Sequence, residues 1–118
     1  MTTTLLSLDD GITCLSLAPE LGGSIVNWSV ITTGQALLRP SDQQAFDAAT
    51  PRRLACYPLV PWSNRIAGGG FAGPDGWFDL TANSPSDPLP IHGSAWQQPW
   101  QVSAQNATEI VLQLQAEI

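Results

Sequence analysis

The chain cuts its apolar residues into short runs and separates them with glycine and proline. Ten Gly and ten Pro in 118 residues leave little room for long helices, because these are the two residues a helix interior tolerates least. Between Thr4 and Thr32 the runs are Leu5 to Leu8, Ile12 to Ala18 and Ser24 to Thr32. In the second run Ile12, Cys14 and Ser16 alternate with Thr13, Leu15 and Leu17. A period of two with apolar residues on both faces describes a strand covered from both sides, as inside a β-sandwich. Asp10-Gly11 and Gly22-Gly23 fall between the runs, and Asp10-Gly11 carries the stronger hairpin signal.

The pattern continues beyond the first quarter. Ser41 is placed to cap a short helical turn over Asp42 to Ala49, which Pro51 then stops; a surface loop is the alternative. The middle third, rich in Pro, Gly, Asn and Asp through Pro90, is expected to be irregular, with brief strands around Gly70-Phe71 and Trp77 to Leu80. Near the end, Trp100 to Ala104 and Glu109 to Ile118 are expected to pair as a hairpin about Asn106-Ala107, with Ile110, Leu112, Leu114 and Ala116 on one face. Residues 1–118 thus read as a single domain or partial domain. An alternating strand at a sheet edge invites pairing, so a homo-oligomer through exposed strand edges is expected.

Charge and composition exclude several functions. A formal net charge of -6 opposes nucleic acid and anionic membrane surfaces, both of which need a basic face. The chain has four arginines and no lysine, so Schiff-base and phosphate-loop lysine chemistry are removed. Gly68-Gly69-Gly70 accordingly reads as a flexible turn. Cys14 and Cys56 are far apart in apolar runs and read as buried free thiols; no metal-ligand set is visible. The amino terminus lacks the pattern of a secretory signal and no run approaches a bilayer span, so cytoplasmic residence is expected.

The most specialised polar groups gather in Tyr57 to Phe71, YPLVPWSNRIAGGGF, and in Pro90-Ile91-His92-Gly93. Asn64, Arg65 and His92 offer fixed donors and acceptors beside Trp62 and Trp96. A pyranose carries hydroxyls on its rim and apolar C–H faces, so convergent polar groups beside aromatic rings suit a sugar. The same residues could form an ordinary turn with a solvated arginine, and Trp62 and Trp96 could serve either as platform or as packing. Trp28 and Trp100 lie in strand patterns and read as core.

The ordered set Tyr57-Pro58-Leu59-Val60-Pro61-Trp62-Ser63-Asn64-Arg65-Ile66, Gly70-Phe71, Gly76 to Leu80, Asn83, Ile91-His92-Gly93 and Trp100-Gln101-Val102 resembles the first part of the aldose 1-epimerases, or galactose mutarotases. Pro19-Glu20-Leu21-Gly22-Gly23 and Asn27-Trp28 are similar to that family's opening strands. The resemblance implies an incomplete antiparallel β-sandwich of the galactose mutarotase type. It implies interconversion of the α and β anomers of a free aldose, without metal or organic cofactor. Asn64, Arg65 and His92 match positions that contact sugar hydroxyls. The family's general acid is a second histidine and its base a late glutamate, whereas this chain holds one histidine and stops at Ile118. No catalytic residue is therefore assigned, and the isolated chain is expected to be inactive. An in-chain pair of His92 with Glu20, Asp75 or Asp79 would be the minimal acid and base. The competing reading is a carbohydrate-binding module or a self-associating structural remnant.

Overall fold

The computed structural model describes residues 4–116. It contains seven strands in three small antiparallel sheets and one short helix. The first sheet is a meander of β1 (Leu6–Asp9), β2 (Thr13–Ala18) and β3 (Ser24–Val30) in the order β1-β2-β3. Leu8 pairs with Leu15, and Leu15 with Trp28. The β1–β2 turn uses Asp10-Gly11 as expected. Asp10 Oδ1 accepts the Ile12 and Thr13 N–H groups at 2.9 and 2.7 Å, and these bonds hold its pKa below the usual carboxylate value.

The helix α1 (Gln43–Ala48) forms where the sequence places it, but Asp42 rather than Ser41 caps it. The Asp42 side chain accepts the Ala45 N–H at 2.8 Å, one of the otherwise orphaned donors of the first turn. Ser41 is drawn to the sheet instead: its Oγ donates to the Val26 carbonyl at 2.8 Å and its N–H to Asn27 Oδ1 at 3.0 Å. This docks α1 on β3 and closes a small core of Ala18, Val26, Ala45 and Leu54, with Leu21 and Phe46 against it.

In the middle third, β4 (Gly70–Gly73) and β5 (Gly76–Asp79) form a hairpin, and Phe71 stacks on Phe78 with ring centroids 5.3 Å apart. The last sheet pairs β6 (Gln101–Gln105) with β7 (Ile110–Gln113). Asn106 caps this turn by accepting the Thr108 and Glu109 N–H groups. Ile110, Leu112 and Leu114 are half-buried and Val111, Gln113 and Gln115 exposed, following the predicted alternation, although Ala116 is exposed. The strand itself is shorter than expected. Its partner begins at Gln101, because the Trp100 N–H already donates to the Pro19 carbonyl at 2.9 Å. Glu117 and Ile118 lie outside the described residues.

The two cysteines are free, but Cys14 is only half-buried and Cys56 exposed, a correction to their expected burial. Cys56 bridges Ile25 at the edge of β3, which leaves its side chain on the open rim. Trp28 and Trp100 are likewise half-buried rather than fully enclosed. The radius of gyration is 16.3 Å, against about 13.5 Å for a compact chain of this length. Trp77, Phe78, Val102 and Val111 stand exposed at 58, 43, 42 and 44 %. A layered β-fold has thus formed its local hairpins while leaving apolar faces open.

Candidate sugar-binding site

Asn64, Arg65 and His92 are brought together by a short antiparallel pairing of two loop segments. Arg65 bridges Ile91, the Ile66 N–H donates to the Pro90 carbonyl at 3.2 Å, and the His92 N–H donates to the Asn64 carbonyl at 2.8 Å. Asn64 and His92 both adopt the left-handed conformation, with φ of 60° and 63°. That conformation is uncommon outside glycine, and asparagine and histidine are among the residues that tolerate it best.

The loop carrying His92 is clamped from behind. Asn83 Oδ1 accepts the Ile91 N–H at 2.8 Å, and its Nδ2 donates to the carbonyls of Ile91 and Gly93 at 2.9 and 3.0 Å. The Trp96 indole N–H donates to the same two carbonyls at 3.2 and 2.9 Å. Gly93 sits at φ 68°, and a Cβ there would lie 2.0 Å from the Val60 carbonyl oxygen. Only glycine lets the His92 loop lie this close to the Val60 segment.

His92 is half-buried, and its Nδ1 accepts the Asn64 N–H at 3.2 Å. The proton of the neutral ring therefore sits on Nε2, which remains a donor. Burial first, then the positive fields of Arg52 and Arg65, hold the His92 pKa below 6.5, against a smaller opposing pull from Asp87. At neutral pH the imidazole is an uncharged hydrogen-bond donor.

Arg65 is oriented by two partners. Its Nε donates to Asp87 Oδ2 at 2.5 Å and its Nη1 to Asn64 Oδ1 at 3.2 Å. Asp87 is buried while the Arg65 side chain is 50 % exposed, so a fixed carboxylate holds a guanidinium whose remaining donors reach outward. The Leu89 N–H, donated to Asp87 Oδ1, and then Arg65 hold the Asp87 pKa below its usual value, although burial opposes them.

The two candidate tryptophans part company. Trp96 is 4 % exposed, with the Arg52 guanidinium 5.0 Å from its ring centroid and Tyr57 and His92 beside it at 5.7 and 6.2 Å. It is packing beneath the site, and its enclosed faces leave no open platform for a sugar. Trp62 is half-buried; its Nε1 is enclosed without a partner among the described residues. It lines a concavity of about 190 Å³ with Asp79, Thr81, Asn83 and Ser94. Asn64, Arg65 and His92 line none of the five main concavities among the described residues, so they form an open polar surface beside the Trp62 hollow.

Asn83, Asp87 and Arg52 were not singled out as site residues in the sequence. Asn83 belongs to the ordered motif, which was the one available signal; Asp87 and Arg52 act at sequence separations of 22 and 32 and leave no local pattern. No hydrogen bond or ion pair joins His92 to Glu20, Asp75 or Asp79 among the described residues. No group of three or more His, Cys, Asp or Glu able to hold a metal occurs among them either. Among the described residues no helix is long and apolar enough to cross a membrane.

Solved structures place this architecture among the galactose mutarotase-like β folds. A protein described as a candidate aldose 1-epimerase from Escherichia coli K12 matches at a TM-score of 0.80 and 28 % identity, covering 94 % of this chain and 36 % of its own. A galactose mutarotase-like protein from Clostridium acetobutylicum matches at a TM-score of 0.70 and 19 % identity, covering 93 % and 34 %; at that identity it speaks to the fold alone. In sequence, the chain is 33 % identical over 100 residues to the Escherichia coli K12 protein YphB, covering 83 % of this chain and 31 % of that protein. The family model for aldose 1-epimerase matches residues 4–117. The chain belongs to the aldose 1-epimerase family, and it spans about a third of the length of these relatives.

Proposed function

We propose that this chain provides a sugar-binding surface of an aldose 1-epimerase, on which Asn64, Arg65 and His92 grip the hydroxyls of a free aldose and Trp62 borders the ring. The reading is carried by one observation: Asn64 and His92 fix each other through backbone and ring, so that Nε2–H of His92 and the free donors of Arg65 are held ready. Preorganised donors lose little entropy on binding, which matters for a ligand as well hydrated as a sugar. Mutarotation needs an acid at the ring oxygen and a base at the anomeric hydroxyl. A neutral His92 acting as a hydrogen-bond donor supplies neither a strong acid nor a base, so proton transfer falls to groups other than those of this cluster. The matched third of the relatives' length is consistent with that division of labour. The test is polarimetry on a freshly dissolved aldose together with binding: saturable binding weakened by His92→Ala supports the site, and no aldose binding at all rejects it.

A second reading, a carbohydrate-binding module, is favoured by the absence of a carboxylate bonded to His92 among the described residues. Saturable binding without anomer exchange above the spontaneous rate would single it out. On either reading we propose that the exposed apolar residues of β5, β6 and β7 are covered by self-association or by further polypeptide.

A further inference from the structure

Three of the four arginines, Arg39, Arg52 and Arg53, line one concavity of about 190 Å³ together with Pro40, Asp42 and Ala45. In a chain of net charge -6 this is a local inversion of sign. Guanidinium groups keep their charge at any ordinary pH, so the cluster presents a standing positive field to an anion. Among the described residues none of the three forms an ion pair, the recorded pair being Arg65 with Asp87. Asp42 is the one carboxylate in the lining, and its Oδ1 is engaged by the Ala45 N–H.

The cluster is also built rather than loose. Arg39 Nη2 donates to the carbonyls of Arg52 and Leu54 at 3.4 and 3.1 Å, tying its guanidinium to the turn that carries the other two. Arg52 Nη1 donates to Ser84 and Ser86 Oγ at 3.0 and 3.3 Å with its guanidinium carbon 5.0 Å from the Trp96 ring centroid, and with these residues and Arg53 it borders a second concavity of about 410 Å³. These bonds fix two guanidiniums and leave further N–H donors of each unspent, while Arg53 is exposed with no side-chain bond. The volume is several times the roughly 30 Å³ share of a liquid water, enough for a tetrahedral oxyanion.

We propose that Arg39, Arg52 and Arg53 form a binding site for a phosphate-type oxyanion, independent of the sugar contacts assigned to Asn64, Arg65 and His92. The anion is either free phosphate or a phosphoryl group carried by a sugar, since Arg52 stands only one ring, that of Trp96, away from His92.

The chain's four arginines give four Nε–H resonances, which make the test direct. Titration of the ¹⁵N-labelled chain with inorganic phosphate, at ionic strength matched with chloride, should shift Arg39, Arg52 and Arg53 saturably. Arg65, whose Nε is held by Asp87, should stay in place. Arg53→Gln, a surface change, should weaken the phosphate affinity by about tenfold, the scale of a lost charge-assisted contact. A phosphorylated aldohexose that binds more tightly than phosphate and also moves His92 identifies the anion as part of the sugar; equal affinities identify free phosphate. Shifts that do not saturate, that include Arg65 equally, or that survive Arg53→Gln unchanged overturn the site. A failure of neutral aldose to bind would reject the sugar reading while leaving this phosphate result standing.

Discussion

Asn64 and His92 hold each other by two hydrogen bonds that run in opposite directions. The His92 N–H donates to the Asn64 carbonyl at 2.8 Å, and the Asn64 N–H donates to Nδ1 of the His92 ring at 3.2 Å. The second bond sets the tautomer, and the two bonds coexist with both residues in the left-handed conformation. Recognition chemistry and backbone geometry are therefore one feature at this point in the chain.

Asn64→Ala should separate the two. Alanine keeps the N–H but meets the left-handed conformation less well, so unfolding in urea should show a loss of about 1 kcal/mol. Asn64→Gly should retain stability to within a few tenths of a kcal/mol and yet weaken aldose binding, because Arg65 loses the Oδ1 acceptor that orients it.

Asn83→Ala removes three hydrogen bonds to the Ile91–Gly93 loop at once. Buried backbone groups at Ile91 would lose partners, and the expected cost is about 1–3 kcal/mol in equilibrium unfolding. The amide resonances of Ile91 and His92 should lose hydrogen-exchange protection before those of β2 and β3 do.

Gly93→Ala should be at least as damaging, by about 2 kcal/mol or more, because the strained φ and the overlap with the Val60 carbonyl add. Gly11→Ala, at φ 85° but in open space, should cost only the conformational part, about 1 kcal/mol. Comparing the two melts isolates the close approach.

The pH dependence follows from the direction of the His92 shift. Its folded-state pKa lies below 6.5, so the unfolded chain takes up a proton first as pH falls. The contribution to stability is present above about pH 6.5 and is lost as pH drops through the depressed folded-state value. Urea midpoints between about pH 7.5 and 5 should fall in the parent chain, and more shallowly in His92→Asn, which cannot titrate. Asp87 acts at lower pH with the same sign: its contribution is present above its unfolded value of 3.8 and fades as pH falls through the lowered folded one.

Asp87→Asn should lower aldose affinity severalfold without replacing any residue assigned to the sugar, since it releases the charge-assisted bond that orients Arg65. Calorimetric titration of the two proteins with the same aldose measures this.

Local features of the fold were legible in the sequence. The alternation of β2, the Asp10-Gly11 turn, the short helix before Pro51 and the two brief strands near Phe71 and Trp77 all depend on neighbours within a few residues. Errors arose where a distant partner competed: Ser41 leaves the cap position for the Val26 carbonyl, and Trp100 spends its N–H on Pro19 rather than extending the last ladder. Asn64, Arg65 and His92 could be picked out by chemistry and resemblance. Their supports could not, because Asp87 holds Arg65 from an irregular Pro-rich loop and Arg52 reaches Trp96 from a different turn. The enclosure of Trp96 depends on such long-range contacts, which periodicity does not encode.

Whether Asn64, Arg65 and His92 bind a sugar is tested by titrating the ¹⁵N-labelled chain with a free aldohexose, followed at the backbone amides and at the Arg65 and His92 side chains. Saturable shifts centred on Asn64, Arg65 and His92 are expected, with Nε2–H of His92 among the largest, and they should disappear in His92→Ala. Shifts that fail to saturate, or that centre on residues remote from this pair of loops, would contradict it.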